Sequence, residues 1–127
     1  MSEYPLPQKP EIIVVYVLLT GKKSKLLKMA LDTGASYTII PYEAAIAIGC
    51  DLVHARRRIE IVTASSTEYA PVVTIPSIKA LGFEVKNIDV ACHNLPPKSQ
   101  VDGLLGLNFL SQFNILLKFR EKTLEVT

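Results

Sequence analysis

Asp32 is the residue in this chain best placed to do chemistry. It sits in "ALDTGASYTII", residues 30–40, between an apolar run that ends at Leu31 and a Thr33-Gly34 pair, with a second apolar run straight after. A carboxylate delivered by an apolar strand and followed by small residues can do two things. It can close an Asx-type turn by bonding its own backbone. It can also be presented as a general acid or base beside a bound water. Asp-X-Gly alone does not decide between them. A second feature lies about seventy residues on, in "VDGLLGLNFL", residues 101–110, where an apolar pair and a glycine precede a helix-like segment.

Other reactive side chains are less persuasive. Cys50 with His54, and Cys92 with His93, could be imagined around zinc, but the spacing matches no compact ligand pattern. No metal and no cofactor are expected. The two cysteines form no disulfide framework and read as free thiols suited to a reducing compartment. The basic run Arg56–Arg58 reads as a solvated loop or strand edge.

The elements that must position Asp32 are mostly strands. "EIIVVYVLLT" is unbroken and β-branched, which predicts a strand buried on both faces. "LLKMAL" is a second strand that delivers Asp32, and "SYTII" a third, ended by Pro41. "PYEAAIAIG" reads as a short helix, with proline at its start and acid in its first turn. "RIEIVTA" and "EYAPVVTI" predict a hairpin with strands 58–64 and 68–75 and a tip at Ser65-Ser66-Thr67. "FEVKNIDVAC" alternates, with a break of phase near Asn87. After the loop "HNLPPKSQ" come a short buried strand in "VDGLLG", a short helix in "LNFLSQF" and a hairpin of "NILLKF" and "TLEV". Seven to nine strands this close together leave no room for βαβ crossovers. They predict a compact, partly closed barrel.

Bulk properties set bounds. The 127 residues fit one domain, with 49% apolar and 20% charged residues, as a globular chain requires. A net charge of +2 argues against a nucleic-acid partner. The proline-rich start "MSEYPLPQKP" is not a signal peptide, and "IIVVYVLL" is too short to span a bilayer. A soluble cytoplasmic protein with no membrane partner is expected.

Strand, Asp32-Thr33-Gly34-Ala35-Ser36, apolar strand and, much later, Leu104-Leu105-Gly106 before a short helix resembles the retropepsin-like (clan AA) aspartic proteases. The chain looks most like the cellular members found in bacteria and archaea, over about residues 11–126. The resemblance implies a mostly β, compact closed barrel with two short helices and one lobe per chain, in residues 11–127 behind an extended arm, 1–10. It implies an aspartic endopeptidase with Asp32 as catalytic residue, Thr33, Gly34, Ala35 and Ser36 in the active-site loop, and Leu104, Leu105 and Gly106 packed beneath as support. Gly34 and Ala35 would line the cleft. The hairpin would be a flap over the cleft, with Ala64, Ser65, Ser66 and Thr67 at its tip. The substrate would be an extended polypeptide.

Such chemistry needs two carboxyls. One accepts a proton from water while the other, still protonated, polarises the carbonyl. Held about 3 Å apart they cannot both ionise and titrate as a pair, for which aspartic proteases are the type case. This chain carries one Asp-Thr-Gly. The partner is expected to be Asp32 of a second copy across a two-fold axis, as a homodimer provides. The other source is Asp102, for which a turn or a side-chain-to-backbone bond is the favoured role. An acid pH optimum follows from the shared proton.

The sequence departs from the viral pattern in three places. The hairpin tip lacks a glycine cluster. Ser36 and Tyr37 stand where viral members carry acids, and Leu107 where they carry arginine. The ion pair that braces the viral dimer is therefore missing, and the tail "KFREKTLEVT" is expected to pair across the two-fold, with or without the N-terminal arm. The alternative function is a catalytically silent module of the same fold that binds peptides or mediates dimerisation.

Overall fold

Alternating burial explains the first hairpin. In the computed structural model, which describes residues 2–7, 12–62 and 65–127, β2 (Val14–Thr20) pairs antiparallel with β3 (Ser24–Leu31), Val14 opposite Ala30 and Thr20 opposite Ser24. Val15, Val17 and Leu19 point into the core, whereas Tyr16 is 63% exposed. The strand is thus buried on one face, not on both as its unbroken apolar run suggested. Here the solvent-facing positions are apolar too, which hides the period-two pattern.

β3 runs into the Asp32 loop, and β4 (Thr38–Ile40) follows it. Helix α1 (Tyr42–Ala47) starts after Pro41, carries Glu43 in its first turn and buries Ala44 and Ala45. β5 (Arg57–Val62) and β6 (Thr67–Ala80) make the expected hairpin, Arg57 opposite Val72 and Val62 opposite Thr67. Its bounds differ from the expectation. β6 runs on through Pro71 and Pro76 to Ala80, and Thr67 belongs to the strand. Ala64, expected at the tip, lies outside the described residues, as does Thr63.

β7 (Phe83–Cys92) returns along β6, and both strands change phase at one level. Ile75 pairs with Ile88 and Ser77 with Lys86, while Pro76 and Asn87 between them make no pair. Proline has no N–H for the ladder, and Asn87 takes φ 52. The inward set therefore passes from Ile75 to Ile78 on one strand and from Ile88 to Val85 on the other.

β8 (Gly103–Leu105) inserts between β3 and β4, parallel to the first and antiparallel to the second. The seven-stranded sheet runs β2-β3-β8-β4-β7-β6-β5. β2 also pairs with β6 through Leu18–Thr20 and Ser77–Lys79, so the first six strands close on themselves and β5 hangs outside. With α1 and α2 (Leu107–Leu110), this is the mostly β closed barrel with two short helices that the resemblance implied. Its interior is filled by Val17, Leu19, Met29, Ile40, Leu105 and Phe109, among others. Among the described residues no helix is long and apolar enough to cross a membrane.

A second, three-stranded sheet holds the chain's two ends. β10 (Thr123–Val126) lies between β1 (Ser2–Pro5) and β9 (Ile115–Lys118). The N-terminal strand thus meets the tail within one chain, and Leu6, Leu124 and Val126 are buried. Cys50 and Cys92 are free thiols. Burial, with a smaller contribution from Cys50, pushes the Cys92 thiol up to about 12, so it is an unreactive core group. His54 pairs with Asp51 and His93 with Glu68, and no cluster of three or more metal-ligating side chains forms among the described residues.

Candidate active site

Asp32 leaves the end of β3, where β8 grips the strand from one side. Ala30 lies opposite Leu104 and Leu31 opposite Leu105, and the Asp32 N–H donates to the Leu105 carbonyl at 3.0 Å. The chain then turns. Gly34 N–H donates to Asp32 Oδ1 at 2.8 Å, and Ala35 N–H to the Asp32 carbonyl at 3.3 Å. The Asx turn is therefore present, and it orients the carboxylate. Asp32 is half-buried and lines an apolar groove of about 510 Å³ with Ile12, Leu31, Leu95, Val101 and Leu104.

Past Leu105 the chain passes beneath the loop and is bonded to it. Leu107 N–H donates to the Ala35 carbonyl at 2.7 Å and Asn108 N–H to the Ser36 carbonyl at 3.1 Å. Gly106 makes this approach possible, since a Cβ there would lie 2.5 Å from the Tyr37 oxygen and 2.8 Å from the Ala35 oxygen.

Three residues not singled out from the sequence hold the assembly together. Asn108 Oδ1 accepts from both the N–H and the hydroxyl of Thr38, each at 2.9 Å. Thr38 Oγ1 in turn accepts the Gly106 N–H at 3.1 Å, and Asn108 Nδ2 donates to the Asp89 carbonyl at 2.5 Å. Thr38 is wholly buried, and no buried side-chain nitrogen or oxygen among the described residues lacks a partner. The network links β4, β7 and α2 around the Asp32 loop. The available signal was a polar residue inside an apolar run, the same that marks Asp32.

The expected site residues fall into two groups. Leu105 and Gly106 are buried beneath the loop, whereas Leu104 is half-buried and lines the groove. Ala35 is half-buried, and Thr33, Gly34 and Ser36 are exposed. Gly34 has no positive φ, and a Cβ there would meet only Asp32 Oδ1, at 3.1 Å. Among the described residues of its own chain, that one side-chain oxygen is the only close contact, and no backbone stands in the way. Asp102 is engaged elsewhere. Its Oδ2 accepts the Lys28 N–H at 2.9 Å, and its own N–H donates to the Lys28 carbonyl at 2.7 Å. Lys28 lies four residues before Asp32, about 13 Å along a strand, so Asp102 is far from pairing distance.

The β5–β6 hairpin is tied to the site at its base. Arg57 donates to Asp89 Oδ2 at 2.9 Å and to the Tyr37 hydroxyl at 3.2 Å, with its guanidinium 5.9 Å from the Tyr37 ring centre. Thr74 Oγ1 donates to Asp89 Oδ1 at 2.7 Å. The Thr74 bond first, and the Arg57 bond and charge after it, hold the Asp89 carboxyl below the usual carboxylate range. Ser65 and Ser66 lie farther out, beside the loop that begins at His93.

These features can be set beside known proteins. No curated protein matches the sequence. Among solved structures, the chain resembles a retropepsin-like aspartic protease from Rickettsia conorii, with a TM-score of 0.72 and 22% identity over 96% of this chain and 87% of that one. At that identity the likeness is one of fold. The family described as "gag-polyprotein putative aspartyl protease" matches residues 19–112, a span that contains the Asp32 loop, the hairpin, β8 and α2. The match takes in most of the barrel and everything that clamps Asp32, and by it this chain belongs to the retropepsin-like family of aspartyl proteases.

Proposed function

We propose that the protein is an aspartic endopeptidase that works as a homodimer, with the Asp32 carboxylates of two chains activating one water. The observation that carries this reading is the state of the Asp32 loop. A single clamped carboxylate lines a groove, and beside it stand an exposed Thr33 and a glycine whose open side meets no backbone of its own chain. Both make sense if a second copy of the loop abuts the first. Gly34 then lets two backbones approach, and the Thr33 hydroxyls can bond across the two-fold axis. Asp32 and its twin share one proton. The ionised member takes a proton from water, the water oxygen attacks the peptide carbon, and the protonated member bonds the carbonyl oxygen. The amine then leaves with a proton from the dyad.

The rest of the chain fits those roles. The β5–β6 hairpin serves as the flap, with Ser65 and Ser66 near its tip and Thr67 just inside β6, and holds an extended substrate largely by main-chain bonds. The apolar groove suits an apolar side chain next to the scissile bond. The terminal sheet supplies a surface for the second copy, since Leu116 on β9 and Phe119 just beyond it are 52% and 67% exposed. The free thiols favour a reducing compartment, and we assign the protein to the cytoplasm.

The test is cleavage of a denatured protein pool by the purified protein at acid pH, with Asp32→Asn as control and sedimentation alongside. Cleavage by a dimer that disappears in Asp32→Asn is the expected result. Cleavage by a stable monomer, or undiminished cleavage in Asp32→Asn, would overturn it.

A further inference from the structure

Leu95 lines two recesses that differ in character. One is the apolar groove beside Asp32. The other, of about 660 Å³, opens between the outer end of the β5–β6 hairpin and the loop that follows β7. Among its described lining residues Glu68 is the one carboxylate, and none is lysine or arginine. Tyr42 and Tyr69 also line it, Tyr69 being 65% exposed. His93 Nε2 meets Glu68 Oε2 at 3.3 Å, and the Glu68 side chain is still 50% exposed.

The walls are anchored to the barrel. His93 N–H donates to the Ile40 carbonyl at 2.9 Å, and the Tyr42 N–H to Asn94 Oδ1 at 3.1 Å, so the loop is pinned to β4 and α1. A carboxylate set among tyrosine rings is the chemistry that recognises an ammonium or guanidinium group on an aliphatic stem. Side chains on one face of an extended peptide are spaced about 7 Å apart, so neighbouring recesses that share Leu95 suit alternate side chains of one strand.

We infer that this recess is a specificity pocket for a lysine or arginine side chain of the substrate, two residues along from the apolar side chain seated beside Asp32. The inference rests on the protease reading for the path of the peptide and narrows its substrate class to apolar-X-basic sequences. Glu68 pairs with the incoming cation, the two tyrosines flank its stem, and Leu95 separates the pockets.

Binding and cleavage test it separately. Labelled peptides that carry lysine, norleucine or glutamate at the basic position and are otherwise identical are titrated into Asp32→Asn protein, which keeps them intact, with Glu68 unchanged, as Gln or as Lys. The same peptides are offered for cleavage to the proteins that retain Asp32. Lysine should be favoured about fivefold with Glu68 in place, the scale of one partly exposed ion pair. The preference should vanish in Glu68→Gln, shrink at high salt, and turn toward a glutamate-bearing peptide in Glu68→Lys, a reversal that a misfolded protein cannot give. Equal binding of lysine and norleucine, or a lysine preference that survives Glu68→Gln, overturns the pocket. Cleavage without such a preference sinks the pocket and leaves the protease reading standing. A Glu68-dependent preference in binding without any cleavage does the reverse.

Discussion

Asn108 shows how much of the site depends on one side chain away from the carboxylate. Its amide accepts twice from Thr38 and donates to the Asp89 carbonyl. Asn108→Leu keeps the branched shape, adds volume and strands those groups, so it should cost about 2–4 kcal/mol in chemical denaturation. The glycines offer a sharper contrast. Gly106→Ala drives a methyl into the Tyr37 and Ala35 carbonyls and should destabilise the chain by about 3 kcal/mol or more. Gly34→Ala meets only Asp32 Oδ1, so thermal melting should move by no more than about 1 kcal/mol equivalent, while dimerisation and cleavage are lost. A Gly34→Ala protein that still dimerises and cleaves would argue against the abutting loops. Asp32 was legible because it interrupts an apolar run before a glycine. Thr38 and Asn108 interrupt apolar runs too, yet a lone polar residue in a strand or helix ordinarily faces water. Which way they face is decided by the insertion of β8 between β3 and β4, a long-range pairing that local pattern does not carry.

The hairpin and the strands beneath it are coupled through Asp89. Its carboxyl is held below the usual range by Thr74 first and Arg57 next. A depressed folded pKa means that this stabilisation is complete above the ordinary carboxylate value of about 3.9 and is lost as pH falls through the lower, folded one. The brace on the hairpin therefore persists at the mildly acid pH that a shared-proton dyad favours. Melting temperature followed from about pH 5 to about pH 2 should fall less steeply in Asp89→Asn than in the wild type; parallel curves would show that Asp89 carries no such linkage. Most elements could be read from the pattern, including the hairpin, both helices and the shift of phase at Asn87. The failures have physical causes. Tyr16 and Leu26 put apolar side chains on the open face of the first hairpin and imitated two-sided burial. Pro76 hid the length of β6, because its barrel partner tolerates an unpaired position opposite it at Asn87.

At the scale of the whole molecule, the proposed dyad, one Asp32 from each chain, would make activity a property of pairs. Wild-type and Asp32→Asn chains mixed in equal amounts and allowed to exchange should retain about a quarter of the activity of the same total of wild-type chain, because both halves of the dyad must be intact. Retention of half would mean that each chain acts alone. The closure of β2 onto β6 carries one more consequence. Residues 72–80 of β6 are pinned inside a ring of strands, while residues 67–71 have only β5 as a strand partner among the described residues. One continuous strand thus has two sets of opening energies, one set by the barrel and one by a two-stranded ribbon. Deuterium should enter the amides before Val72 long before those after it, and peptide binding should slow uptake in the outer segment alone.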